Sequence, residues 1–183
     1  VPIVIKLLRE TNGGKDKMSY GFNADEIFEI AEDIERNGAK FYRQMSEDFS
    51  DISVRELFLD LAAMEDEHEK AFVSMRADLS DKGRKTTVFD PEGESALYLR
   101  ALADLRVFDK DAQEDFALPA GLSEQEQMHR VLHTAIGLEK DSIIFYLGMK
   151  ELVPENLGKA RIDGIIKEEM GHIKLLSNRM SLL

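Results

Sequence analysis

The amino-acid sequence predicts an all-α protein: four helices forming a bundle of two antiparallel hairpins, joined by one long crossover. Three observations point there. Four stretches repeat apolar residues at alternating steps of three and four, the period of helices that each bury one face. Two of the connections between them are short turns, whereas the middle one runs from Ser80 to Leu122. The second pair of stretches also repeats the first: Glu65-x-x-His68 and Glu169-x-x-His172 are one motif written 104 positions apart, and the same offset carries Glu139 onto Glu35 and Tyr146 onto Tyr42.

Residues 1–22 precede the first periodic stretch. Arg9 to Lys17 is polar, contains Gly13 and Gly14 and has no periodicity, so a flexible N-terminal extension is expected there. The bundle is expected over residues 23–183. Its first helix opens at Asn23, with Glu26 as the carboxylate three positions on, and turns Phe28, Ala31, Glu35, Gly38, Tyr42 and Met45 inward. A turn around Asp48 to Ile52 leads to the second helix, capped by Ser53 and Glu56, with Val54, Phe58, Leu61, Glu65, His68, Phe72 and Met75 on one face.

The crossover occupies about 80–122. A dozen or so extended residues at about 3.3 Å each would pass a 25-residue helix of about 37 Å, so this connection has chain to spare. The surplus includes the amphipathic segment Ser95 to Val107, expected to form a short helix covering the bundle. The third helix opens at Ser123 with Glu126 and aligns Met128, Leu132, Ala135, Glu139, Ser142, Tyr146 and Met149. After a turn around Glu151 to Pro154, the fourth starts near Pro154, a residue tolerated in a first turn, and aligns Ile162, Ile165, Glu169, His172 and Leu176. Two hairpins with one long crossover make the ferritin-like topology, and the repeat implies a pseudo-twofold axis.

Composition narrows the function. At 183 residues the chain suits one domain with a sizeable core, and 43% hydrophobic with 33% charged residues is the balance of a soluble, helix-rich protein. A net charge of −12 without basic clusters argues against nucleic acid and favours the approach of cations. No apolar run reaches the roughly 20 residues that span a bilayer. Val1 to Leu8 lacks the basic flank and small-residue cleavage site of a secretory signal, so no membrane partner and a cytoplasmic location are expected. Cysteine is absent, which removes disulfides, thiolate zinc sites, iron–sulfur centres and thiol catalysis from this sequence. A metal would sit on oxygen and nitrogen, donors that suit iron, manganese or zinc without deciding among them.

The repeated motif supplies those donors. Spacing of i, i+3 places the Glu and His of each copy on one turn of one face, able to reach the same metal pair. Four carboxylates and two imidazoles are the ligand set of a carboxylate-bridged di-metal site in a four-helix bundle. Glu65 and Glu169 are assigned as bridging carboxylates, His68 and His172 as terminal nitrogens, and Glu35 and Glu139 as terminal carboxylates. Tyr42 and Tyr146 lie seven residues beyond the terminal glutamates, where each phenol can donate to a ligand carboxylate and fix its orientation. Gly38 and Ser142 are small where bulky residues are usual, so space for dioxygen or peroxide is expected beside them, and Gly38→Leu is expected to slow oxidation while sparing metal affinity.

Blander readings apply to single features. One Glu-x-x-His in so acidic a chain is ordinarily a solvated pair, and it is the duplication that turns the reading to metal. Met45, Met149, Phe58 and Phe72 read as core. His129 and His133 lack counterparts in the repeat and read as surface histidines. Asp66, Glu67, Glu69, Glu32 and Asp33 read as solvated faces. Glu168 adjoins Glu169 but points about 100° away around the helix, making it a weaker ligand candidate. Gly171 costs about 1 kcal/mol of helix propensity between two ligand positions.

Residues Ile30 to Tyr42 and Glu65-Asp-Glu-His68, with Gly137 to Tyr146 and Glu168-Glu169-Met-Gly-His172, resemble the two hairpins of the rubrerythrin-like branch of the ferritin-like superfamily. The resemblance runs from about Asn23 to Leu176. It implies a four-helix bundle, a pair of irons, and redox activity that couples Fe(II) oxidation to reduction of hydrogen peroxide or dioxygen, often in a homodimer. Full-length rubrerythrins also carry a cysteine-ligated electron-transfer module, which this sequence lacks, so an external electron donor is expected. They carry a further glutamate on the third helix, and the nearest equivalent here is Ser142. Two other functions are compatible with the residues: an iron-binding or storage protein without turnover, and a metal-stabilised interaction module.

Overall fold

A computed structural model describes residues 24–79, 98–99, 102, 121–153 and 158–183. Among the described residues the long elements are four helices, with no strand: α1 (Ala24–Asp48), α2 (Ile52–Ala77), α3 (Glu124–Leu152) and α4 (Lys159–Met180). α1 packs against α2, α3 packs against α4, and α1 meets α3 across the bundle. The expected N-terminal extension, the Asn23 cap, Pro154 and most of the crossover lie outside the described residues.

The ends of the helices follow the capping chemistry with two corrections. α3 has the expected capping box: the Ser123 hydroxyl accepts from the backbone of Glu126, and the Glu126 carboxylate accepts from the Ser123 backbone at 2.8 Å. α2 is capped by Asp51 rather than by Ser53. The Asp51 carboxylate accepts from the Ser53 backbone at 2.8 Å and also takes the Ser53 hydroxyl at 2.7 Å. A carboxylate is the stronger acceptor for the first amides of a helix, and Arg179 pairs with it at 3.2 Å, which ties the start of α2 to the end of α4.

α4 starts at Lys159, with Gly158 as its N-cap in a left-handed conformation, φ 106°. Glycine is required there twice over. A side chain would be strained at that φ, and a Cβ would come within 2.5 Å of Met75 Sδ.

The hydrophobic core is divided. One half gathers Phe28, Ile34, Phe72, Met75, Tyr146, Met149, Ile162 and Ile166, and the other gathers Tyr42, Met45, Phe58, Leu61, Leu132, Ala135 and Leu176. On every helix the boundary between the halves is occupied by buried Glu or His: Glu35 on α1, Glu65 and His68 on α2, Glu139 on α3, Glu169 and His172 on α4. Apolar packing on both sides therefore fixes a polar belt across the middle of the bundle. Of the crossover, Leu99 is buried and packs with Leu102 against the first half, and the Leu99 and Tyr98 side chains close over Gly148, where an added Cβ would lie 2.9 Å from Leu99. The small residue on α3 lets that segment approach.

Ion pairs lace the outer surfaces, Arg43 to Asp66 and Arg36 to Glu69 between α1 and α2, and Lys150 to Asp163 at 2.7 Å between α3 and α4. Exposed pairs of this kind contribute little each, about 0–1 kcal/mol. Glu32 departs from the solvated position that its sequence suggested. It is buried beneath Arg76, which donates to it at 3.1 Å while pairing with Asp25 and Glu29. Burial pushes its carboxyl above the usual range against the pull of that guanidinium.

Candidate metal centre

Six side chains, from all four helices, converge in the polar belt. Two groups of four each offer ligand atoms within 4.8 Å of one another: Glu35, Glu65, His68 and Glu169, and Glu65, Glu139, Glu169 and His172. Glu65 and Glu169 are common to both. The two imidazoles stack with centroids 5.6 Å apart, one at each end of the shared pair.

The local reason is the i, i+3 repeat. One helical turn brings His68 Nδ1 to 3.3 Å from Glu65 Oε2, and the equivalent turn of α4 brings His172 Nδ1 to 2.9 Å from Glu169 Oε2. Across the bundle, His68 Nδ1 lies 3.0 Å from Glu169 Oε1 and 3.6 Å from Glu35 Oε2. His172 Nδ1 lies 3.3 Å from Glu65 Oε1 and 3.4 Å from Glu139 Oε1. Each Nδ1 thus faces three carboxylates.

Around Glu169 and His172 these contacts are close but poorly directed, whereas His68 Nδ1 keeps a hydrogen bond with Glu65. Both oxygens of Glu169 and both ring nitrogens of His172 are buried without a hydrogen bond, although oxygens lie within 3.5 Å of the His172 Nδ1. Oxygens and nitrogens packed at contact distance yet aimed past one another converge on common points, the arrangement that cations satisfy and that hydrogen bonds do not. Two divalent ions would also balance four carboxylates. The donor set therefore fits a metal pair on geometry, on charge and on donor type.

Electrostatics in the metal-free protein point the same way. Burial raises Glu169 to a pKa of about 8, with the Glu35 charge adding to the effect. Burial and the Glu65 charge raise Glu35 well above the carboxylate range. Burial opposes the charged form of His172, yet the carboxylates of Glu139, Glu169 and Glu65 close to its Nδ1 outweigh it and push the imidazole up to about 12. His68 shifts the same way against its own burial, through Glu169, Glu35 and Glu65. Retained protons thus do the neutralising that metal ions would do.

The two tyrosines are bound crosswise. Tyr146 on α3 donates to Glu35 Oε1 on α1 at 2.5 Å, and Tyr42 on α1 donates to Glu139 on α3. Both phenols are fully buried, and burial together with the carboxylate charges, foremost Glu139 for Tyr42 and Glu35 for Tyr146, raises them well above their ordinary value, so they remain donors. Ring packing holds them in place, Tyr42 stacked on Phe58 at 6.1 Å and Tyr146 tilted against Phe72 at 5.1 Å. The sequence placed each tyrosine on the face of its own glutamate; the structure gives it to the glutamate of the other hairpin.

This chain belongs to the rubrerythrin family. The family's sequence model matches residues 26–180, the whole bundle. A solved structure from Thermotoga maritima, described as a candidate ferritin-like diiron-carboxylate protein, superposes with a TM-score of 0.64 at 22% identity, over 88% of this chain and 96% of that one. At that identity the likeness establishes the ferritin-like fold. No curated protein matches the chain. No described helix is long and apolar enough to cross a membrane.

Around this rubrerythrin-family centre the other sequence readings resolve as follows. His129 and His133 are exposed, away from the belt, and line a shallow cavity with Glu126 and Arg130. Gly38 does not border open space: a Cβ there would meet Glu65 Cγ at 3.5 Å and Cδ at 3.7 Å. A leucine at this position would displace the shared glutamate, so the expectation that metal affinity survives Gly38→Leu does not hold. Ser142 is buried and returns its hydroxyl to the Leu138 carbonyl at 3.1 Å. Glu168, set aside as pointing away, reaches His68 Nε2 at 2.8 Å. Its signal was the doubled glutamate before Met-Gly-His, which the first copy of the motif lacks.

Proposed function

We propose that the protein is a di-iron oxidoreductase that reduces hydrogen peroxide or dioxygen with electrons from an external donor. The observation that carries the reading is the pair of four-residue groups sharing Glu65 and Glu169. In this reading Glu65 and Glu169 would be shared by two ions, Glu35 and His68 would help hold one, and Glu139 and His172 would help hold the other. A pair of ferrous ions supplies two electrons together, the number that takes one peroxide and two protons to two waters.

The chain's own residues supply the rest. Tyr42 and Tyr146 orient Glu139 and Glu35 and keep their own protons, and the two apolar half-cores exclude bulk water from the belt. The acidic surface, −12 overall, favours the arrival of cations.

The test is to load metal-free protein anaerobically with two equivalents of Fe(II) per chain and to follow oxidation by peroxide and by dioxygen in stopped flow. Faster oxidation by peroxide, with re-reduction by a chemical donor and repeated turnover, supports the reading. Faster oxidation by dioxygen with continued uptake of iron beyond two per chain would replace it with storage.

A further inference from the structure

The two halves of the centre follow one repeat, yet their outer surroundings differ. His68 Nε2 lies 2.8 Å from the Glu168 carboxylate, whereas His172 Nε2 is buried and has no hydrogen-bond partner among the described residues. The repeat explains the difference. Subtracting 104 from Glu168 gives Met64, so the position on α2 that would serve His172 holds a thioether. Methionine is a weak acceptor at best and cannot replace a carboxylate.

We propose that Glu168 is a positioning residue that makes the two metal positions unequal, the Glu35–His68 side binding a divalent cation first and more tightly than the Glu139–His172 side. The inference rests on the di-metal reading above. The argument is one of tautomer and basicity. Glu168 accepts the Nε2–H of His68, which leaves the Nδ1 lone pair facing Glu35, Glu65 and Glu169 and makes that nitrogen a better donor to a metal. His172 receives no such instruction. Among the described residues nothing accepts its Nε2–H, so that side of the ring has no carboxylate behind it when Nδ1 faces a metal.

Glu168 can act without being part of the packed structure. Its side chain is 64% exposed while the His68 side chain is 3% exposed, so it covers the imidazole from the surface. The second ion is consequently the exchangeable one.

The test is a titration of metal-free protein with Co(II), by calorimetry with chelator competition and by the visible Co(II) spectrum, on wild type, Glu168→Met, Glu168→Gln and Met64→Glu. Wild type is expected to bind two ions in two resolved steps. Glu168→Met should weaken the tighter step about 10- to 100-fold, the usual effect of removing a carboxylate behind a ligand histidine, and leave the other step in place. Glu168→Gln should restore part of the loss, because an amide oxygen still accepts from Nε2–H. Met64→Glu should tighten the weaker step. Equal weakening of both steps by Glu168→Met, or no change in either, overturns the proposal while leaving the metal pair intact. Fewer than two ions bound by wild type would instead overturn the di-metal reading itself, and this inference with it.

Discussion

Replacing Glu169 with glutamine should stabilise the metal-free protein and abolish its response to metal. Glu169 is fully buried and belongs to both groups of ligands. At pH 7 the unfolded chain ionises this group, whose ordinary pKa is 4.5, whereas the folded metal-free protein holds the proton up to about 8. Holding that proton over the interval from 4.5 to pH 7, about 2.5 pH units at 1.36 kcal/mol each, costs about 3 kcal/mol. Glutamine keeps the volume and removes the titration. Its amide will find imperfect partners, as the carboxylate does, which takes back about 1–2 kcal/mol. A net gain of about 1–2 kcal/mol, or roughly 2–8 °C in Tm for a chain of this size, is expected without metal. Wild type at a free metal concentration 100-fold above its Kd gains about 3 kcal/mol, and the variant should gain almost nothing. Thermal denaturation of both proteins, with and without Fe(II) under anaerobic conditions, measures all four values. A variant less stable than wild type without metal, or one that keeps the metal-dependent rise, would refute the reasoning.

Other expectations follow from the same geometry. Between pH 5 and 8 the metal-free protein should lose stability as pH rises, because Glu169, His172 and His68 all have folded pKa values above their unfolded ones, so the stabilisation they give at low pH drains away. Metal-loaded protein should show the opposite slope, since ligands must shed protons to bind, and Tm measured across this range separates the two. Tyr146→Phe keeps the ring against Phe72 but strips the phenol from Glu35, so metal affinity should fall about 10- to 100-fold with the helical circular dichroism unchanged. Gly38→Ala should raise stability by about 0.5–1 kcal/mol, because its Cβ finds ordinary contact with Glu65, whereas Gly38→Leu should weaken both metal steps in a calorimetric titration.

The bundle and the six convergent side chains were legible because each depends on a period. An inward stripe needs only the three-and-four spacing, and a Glu or His interrupting it on all four helices must then lie in the interior. The pairing of the two motifs was legible because the repeat displays it twice. Features that depend on a neighbouring helix were not legible. Ser53 and Asp51 both suit an N-cap by type, and Asp51 serves, with Arg179 of α4 folding back onto it. Glu32 looked solvated on its own helix and is buried because Arg76 reaches across from α2. The tyrosines were placed on the correct face, but which glutamate each one meets is decided by α1 and α3 lying opposite one another. Glu168 carried a sequence signal, a departure from the repeat at Met64, whose meaning emerges only with His68 in place.

The central claim is that Glu65 and Glu169 are shared between two metal ions. Crystals grown from protein reconstituted anaerobically with Fe(II), measured at the iron absorption edge, test it most directly. The account requires two anomalous peaks about 3–4 Å apart, both contacting Glu65 and Glu169, one beside His68 and the other beside His172. A single peak, or two peaks without a common carboxylate, would contradict it.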